Sequence, residues 1–243
     1  MKREQILYYA LKYRGEYFKI KKAIENKEHW EVCIYRGKYV SITDEEYPAC
    51  LKGLKEPPFI LFYEGRVDLL KEPMSALIGS RKMSGYGKGL CEFVVEHLHK
   101  GIVSGLASGV DGYCHFLGLL KGLPCIGVIG CGINVVYPKS NQLLYEQIKK
   151  VGLLISEYPN DVPPLAHHFP WRNRIIAALA KEVVVIEAKI KSGTMLTVNH
   201  ALELGKEVYV LPHRIFDQMG EGCNFLLQQG ANVLIIAEDI ENL

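Results

Sequence analysis

From Ser75 onward, short apolar runs alternate with stretches whose apolar residues recur every three or four positions. The runs read SALIGS (75–80), GIVSGLA (101–107), PCIGVIG (124–130), VGLLISEY (151–158), EVVVIEA (182–188), KEVYVLP (206–212) and ANVLII (231–236). They show little polar alternation, the pattern of strands covered on both faces. The helix-period stretches between them fall at about 84–99, 110–121, 140–150, 171–180, 194–204 and 222–229. Strand and helix in strict turn predict an α/β fold, a doubly wound Rossmann-like parallel sheet.

Residues 1–45 differ. They are rich in Lys, Glu and Tyr, look helical to about Asn26, and then offer EVCIYRGKYVSI (31–42) as a short hairpin. A small N-terminal helical cap (1–45) on an extended Rossmann-like domain (46–243) is expected. Pro48, Pro57 and Pro58 break the stretch that follows, and FILFYEG (59–65) reads as a strand joining the sheet or its edge.

Composition narrows the function classes. Lys plus Arg number 29 against 27 Asp plus Glu, a formal charge of +2, so any polyanion site must be a local patch. Seven cysteines without a C-x-x-C argue against a disulfide framework or a zinc ribbon and suit a reduced, cytoplasmic setting. No signal peptide or membrane-spanning run is evident.

In open parallel sheets ligands bind beyond the carboxyl ends of the strands. The residues there are small or polar: Arg81, Lys82 and Ser84; Ser104, Gly105, Ser108, Gly109 and Asp111; Gly130, Gly132 and Asn134; Ser156 and Glu157; Glu187, Ser192, Gly193, Thr194 and Thr197. Glycines and helix starts at such positions favour phosphate. Neither G-x-x-x-x-G-K-[ST] nor a G-x-G-x-x-G after the first strand occurs, which argues against ATP hydrolysis and dinucleotide redox chemistry. Asp111 suits helix capping as well as a ligand. His115 reads as a structural histidine, and adjacent His167 and His168, with no second cluster at ligand spacing, read as loop surface without a metal.

HHFPWRNRIIAALA (167–180) follows the fourth Rossmann strand. Its residue types suit nucleic acid: Arg for phosphate, Phe169 and Trp171 for stacking on an unpaired base, Asn173 for a base edge. Arg172 and Arg174 lie two apart and cannot both point the same way from a regular helix. One is expected to face the ligand while the other braces the rim on Glu157 or Glu187.

Taken together, IGSRKMSGYG, IVSGLASGVDGYCH, GVIGCGINVVYP, LLISEYP, FPWRNRIIAAL, VVVIEAKIKSGTMLT and GCNFLLQQGA resemble, in order and spacing over about residues 47–236, the DNA-processing protein A (DprA/Smf) family. The resemblance implies a non-enzymatic, homodimeric protein without cofactor that binds single-stranded DNA, works beside single-strand-binding protein and loads a RecA-type recombinase in natural transformation. It further implies a DNA pocket of Arg81, Lys82, Ser104, Gly105, Ala107, Asp111, Phe169, Arg172, Asn173 and Arg174, completed by Ser192, Gly193 and Thr197. Departures from the family pattern are Ala166 where a lysine is frequent, Cys114 before His115, and LPH at 211–213. With the chain ending at Leu243, no C-terminal winged helix is expected. A rival class is the nucleoside-monophosphate-cleaving LOG-like proteins, whose PGGxGTxxE motif is here SGTMLTVNHALE.

Overall fold

The computed structural model describes residues 1–243. Nine strands form one sheet: β1 (Lys38–Ser41), β2 (Ile60–Gly65), β3 (Met74–Gly79), β4 (Gly101–Ser104), β5 (Cys125–Ile129), β6 (Leu153–Ser156), β7 (Ala180–Glu187), β8 (Glu207–Val210) and β9 (Asn232–Val233). Their order across the sheet is β1-β2-β6-β5-β4-β3-β7-β8-β9. β3 to β9 pair in parallel, while β2 joins β6 and β1 joins β2 antiparallel. The helices are α1 (Arg3–Lys12), α2 (Tyr17–Glu25), α3 (Ala49–Lys52), α4 (Gly85–His97), α5 (Val110–Lys121), α6 (Gln142–Val151), α7 (His168–Leu179), α8 (Gly193–Glu203), α9 (Glu221–Gln228) and α10 (Ala237–Glu241). None is long and apolar enough to cross a membrane.

The sheet separates two hydrophobic layers, which explains the unbroken apolar runs. Along β7, Val183 and Val185 enter the layer beneath α7, α8 and α9, whereas Val184 and Ile186 enter the layer beneath α4, α5 and α6. Successive strand side chains point to opposite faces, so a strand with a core on both sides needs apolar residues at every position. Ile6, Tyr9 and Ala10 of α1 and Ile20 and Ala23 of α2 share the second layer with Phe62 and Leu154.

The path of the chain creates a switch point. From β3 it steps through β4, β5 and β6 to one side, and then α7 carries it back to β7, which lies against β3 on its other side. The loops after β3 and β7 therefore leave the sheet in opposite directions and open a crevice between them.

Two expectations need correction. Only Lys38–Ser41 of the supposed hairpin 31–42 is a strand, and its partner is β2, in the register Lys38↔Tyr63 to Ser41↔Ile60. Residues 31–36 have no strand beside them, so Val32 and Ile34 stand 77% and 92% exposed while Tyr35 turns in to pack on Phe62 and donate to Asn160. α7 begins at His168 rather than after Pro170. Proline is tolerated in a first helical turn, where backbone N–H groups have no acceptor within the helix.

Candidate nucleic-acid interface

A cleft of about 670 Å³ opens at the β3/β7 switch point. Loops that follow β3 through β8 and the starts of α5, α7 and α8 line it, and the nearest of them are held by identifiable contacts. The loop after β3 is tied across the crevice by Ser80 N–H, which donates to the Glu187 carbonyl at 2.7 Å. The Glu187 carboxylate, fully buried, accepts from the backbone N–H and the hydroxyl of Ser84, and that hydroxyl also caps α4 by accepting from Gly87 N–H at 2.9 Å. The acid at the end of β7 is thus consumed in fixing the loop that presents Arg81 and Lys82. It is not among the residues that line the cleft.

The loop after β4 is more constrained. Leu106 sits at φ 51°, in the left-handed region that a branched side chain rarely adopts, and Asn141 holds it there by donating to the carbonyls of Leu106 and Ala107. At Gly109, φ is 76° and a Cβ would lie 2.2 Å from the Ser80 carbonyl oxygen, so only glycine lets this loop close on the β3 loop.

α7 contributes two arginines with different fates. Arg172 is buried beneath the cleft, where its guanidinium donates to the carbonyls of Gly105 and Val128 and its Nε to Asn173 Oδ1. Asp111 stands near it and accepts from Gly105 N–H at 3.1 Å. Burial pushes the Asp111 carboxyl up, against the downward pull of Arg172, and burial likewise lowers the Arg172 pKa. Arg174 points the other way. It forms a two-pronged pair with Glu157, both N–O distances 2.6 Å, and also donates to the carbonyls of Glu56 and Trp171. Trp171 stacks under the Arg174 guanidinium at 4.1 Å and packs on Tyr17 and Phe18 of α2.

Of the candidates read from the sequence, Arg81, Lys82, Ala107, Asp111, Phe169, Arg172, Asn173, Ser192, Gly193 and Thr197 line one cleft. Ser104, Gly105 and Arg174 do not. The Ser104 hydroxyl is fully buried and donates to the Leu77 carbonyl. Gly105 lies behind Arg172, whose guanidinium nitrogen a Cβ would meet at 2.5 Å. Arg174 is committed to Glu157. His168 is also not loop surface: it is 1% exposed, in the first turn of α7, while His167 beside it is exposed.

Sequence reasoning missed Lys189, Lys191 and Tyr137, which line the same cleft. The two lysines flank Ile190 in the loop just past β7, where a strand's period of two no longer holds, so the sequence offered only their charge and their place after a strand end. Tyr137 carried no signal, because its packing against Phe169, with ring centroids 5.4 Å apart, joins segments over thirty residues apart. Arg81 lies over the other ring of this pair, 5.3 Å from the Phe169 centroid. Arg81, Lys82, Lys189 and Lys191 are all exposed, and none belongs to an ion pair within the chain. Facing them, Ser192 precedes α8 with a buried hydroxyl that has no hydrogen-bond partner.

Fold and site together define a doubly wound α/β protein with a cationic, aromatic-edged cleft at its switch point. Residues 38–243 match the family model described as DNA recombination-mediator protein A, and the chain belongs to that family. It is 43% identical over 202 residues to the DNA processing protein DprA of Streptococcus pneumoniae, covering 82% of this chain and 72% of the relative. The X-ray structure of DprA from that organism superposes with a TM-score of 0.83 at 36% identity, over 99% of this chain and 92% of the other. DprA from Helicobacter pylori, whose structure concerns a single-stranded DNA binding mode, gives 0.76 at 31% identity, over 85% and 95%.

Proposed function

We propose that this chain binds single-stranded DNA in the β3/β7 cleft, without chemical turnover, and delivers it in the cytoplasm to a RecA-type recombinase in the presence of single-strand-binding protein. The observation that carries the reading is the convergence of four unpaired cations and an unpartnered hydroxyl at a helix start around an aromatic pair. Unpaired cations in a concave site attract a polyanion, the start of α8 offers N–H groups to a phosphate, and an exposed aromatic edge takes bases that a duplex keeps stacked. Buried Arg172 adds a fixed charge beneath the path. Membership of the recombination-mediator family and likeness to the Helicobacter pylori protein support DNA as the polyanion. A homodimer would join through the apolar surface near α9 and β9, where Phe225, Val233, Ile235 and Ile236 are 38%, 40%, 63% and 53% exposed.

Fluorescence anisotropy with labelled oligo-dT and with a matching duplex, across a salt series, tests the reading. The single strand is expected to bind more tightly, with a steep salt slope. Equal affinity for the duplex overturns it, as does turnover of nucleoside monophosphates without oligo-dT binding.

A further inference from the structure

The turn between α1 and α2 lies against the end of β6 that leads to α7. Gly15 makes this approach possible: at φ 80° a Cβ there would stand 2.6 Å from the Glu157 carbonyl oxygen. The next residue, Glu16, is thereby brought to the first turn of α7, where His167 and His168 wait, 151 and 152 positions further along the chain.

His168 is the informative side chain. Its Nδ1 lies 3.2 Å from the Gly130 carbonyl, which can only accept, so Nδ1 carries the proton. The neutral ring then presents a bare lone pair at Nε2. That atom is buried, has no hydrogen-bond partner, and stands 3.5 Å from Glu16 Oε1. A lone pair aimed at a carboxylate oxygen is repulsive unless a cation sits between them. Tyr158, stacked on the ring at 3.8 Å, holds it in place. The third donor, His167 Nε2, lies 3.7 Å from the same Glu16 oxygen, and all three donor atoms fall within 4.8 Å of one another.

We propose that Glu16, His167 and His168 form a binding site for one divalent transition-metal ion of the zinc class, which clamps the N-terminal helices to the start of α7. Two imidazoles and a carboxylate suit Zn²⁺, Co²⁺ or Ni²⁺ rather than Mg²⁺ or Ca²⁺, which prefer all-oxygen shells. Tetrahedral bonds of 2.0–2.1 Å separate donors by about 3.3 Å, so the two distances to Glu16 need to close by a few tenths of an ångström and the two imidazole nitrogens, within 4.8 Å of each other, by up to about 1.5 Å. The Gly130 carbonyl is the outer partner that fixes the tautomer and orientation of a ligating histidine. Exposed His167, 66% open to solvent, and Glu16, 35% open, leave an entry path and room for a water as fourth ligand. His168 directly precedes Phe169, so the ion would anchor the turn that carries an aromatic wall of the cleft.

The full chain, stripped with a chelator and dialysed against Zn²⁺, is expected to take up one equivalent, and Co²⁺ is expected to give the visible absorption of a tetrahedral site. Glu16→Gln and His167→Ala change side chains with solvent access and should keep the parent's circular dichroism while losing at least about tenfold in metal affinity. Zn²⁺ should raise the parent's Tm and leave that of the double variant unmoved. The proposal is overturned if the parent takes up no zinc at micromolar concentration, including the case where only pH affects the Glu16–His168 contact. Zinc uptake by the double variant equal to the parent's overturns it as well.

Discussion

The rim of the cleft and the back of α7 both carry positive charge, and they treat it in opposite ways. On the rim, Arg81, Lys82, Lys189 and Lys191 stand in solvent without a carboxylate. Behind α7, Arg174 is almost fully enclosed and saturated: two oxygens of Glu157, two backbone carbonyls and the face of Trp171 surround it. A charge removed from water must be matched within the fold, whereas a hydrated one can stay unmatched until a ligand arrives. Arg172 sits between these regimes, buried yet facing the cleft, with two carbonyls and nearby Asp111 for partners. Burial and pairing therefore separate the arginine that holds the fold from the cations available to a phosphate.

The largest effect should come from breaking the matched side. Glu157→Gln leaves the Arg174 charge enclosed without its counter-ion and is expected to lower stability by about 3–5 kcal/mol in urea unfolding. Oligo-dT affinity of the remaining folded protein, measured at low temperature, should hold. A variant as stable as the parent would mean that Arg174 is not a structural brace. On the unmatched side, Arg81→Ala should cost about 1.5 kcal/mol of binding, more than tenfold in Kd, and flatten the salt slope by roughly one unit. Its Tm should stay at the parent's value, and a lowered Tm with unchanged affinity would reverse the assignment.

Lys189→Ala and Lys191→Ala are expected to weaken oligo-dT binding by about 0.5–1 kcal/mol each, again through the salt slope and without loss of stability. Anisotropy at two salt concentrations distinguishes this from a change in a base contact, which would leave the slope alone. Smallest is Ser192→Ala. A buried hydroxyl without a partner contributes nothing favourable to the fold, so stability should hold or rise by up to about 1 kcal/mol. DNA affinity should fall by a similar amount if that hydroxyl meets a phosphate. Reduced stability together with intact binding would show that its partner lies within the fold.

The apolar runs made the parallel sheet legible, because a strand such as β7 with cores on both faces admits little else between Glu182 and Glu187. The rim at the strand ends was legible too, since small and polar residues follow each run, whereas the opening of the crevice between β3 and β7 came only with the strand order. The pairing of β1 with β2 was not. Residues 31–42 alternate evenly enough for a hairpin, and only the free edge of β2 decides which half becomes a strand. The cleft was legible where its residues sit beside strand ends, and illegible where Tyr137 enters from a distant loop.

By itself the sequence determined that Arg172 and Arg174 must diverge, since helical geometry separates residues two apart, and that one carboxylate near a strand end would receive one of them. Tertiary structure alone decided that Arg174 takes Glu157, that Glu187 is spent on Ser84, and that Glu16 meets two histidines from the far half of the chain. Side-chain direction follows from a few neighbouring φ and ψ angles and is written locally. Which charge meets which depends on strand order and on the path of the crossover through α7, properties held by the contacts of the whole sheet.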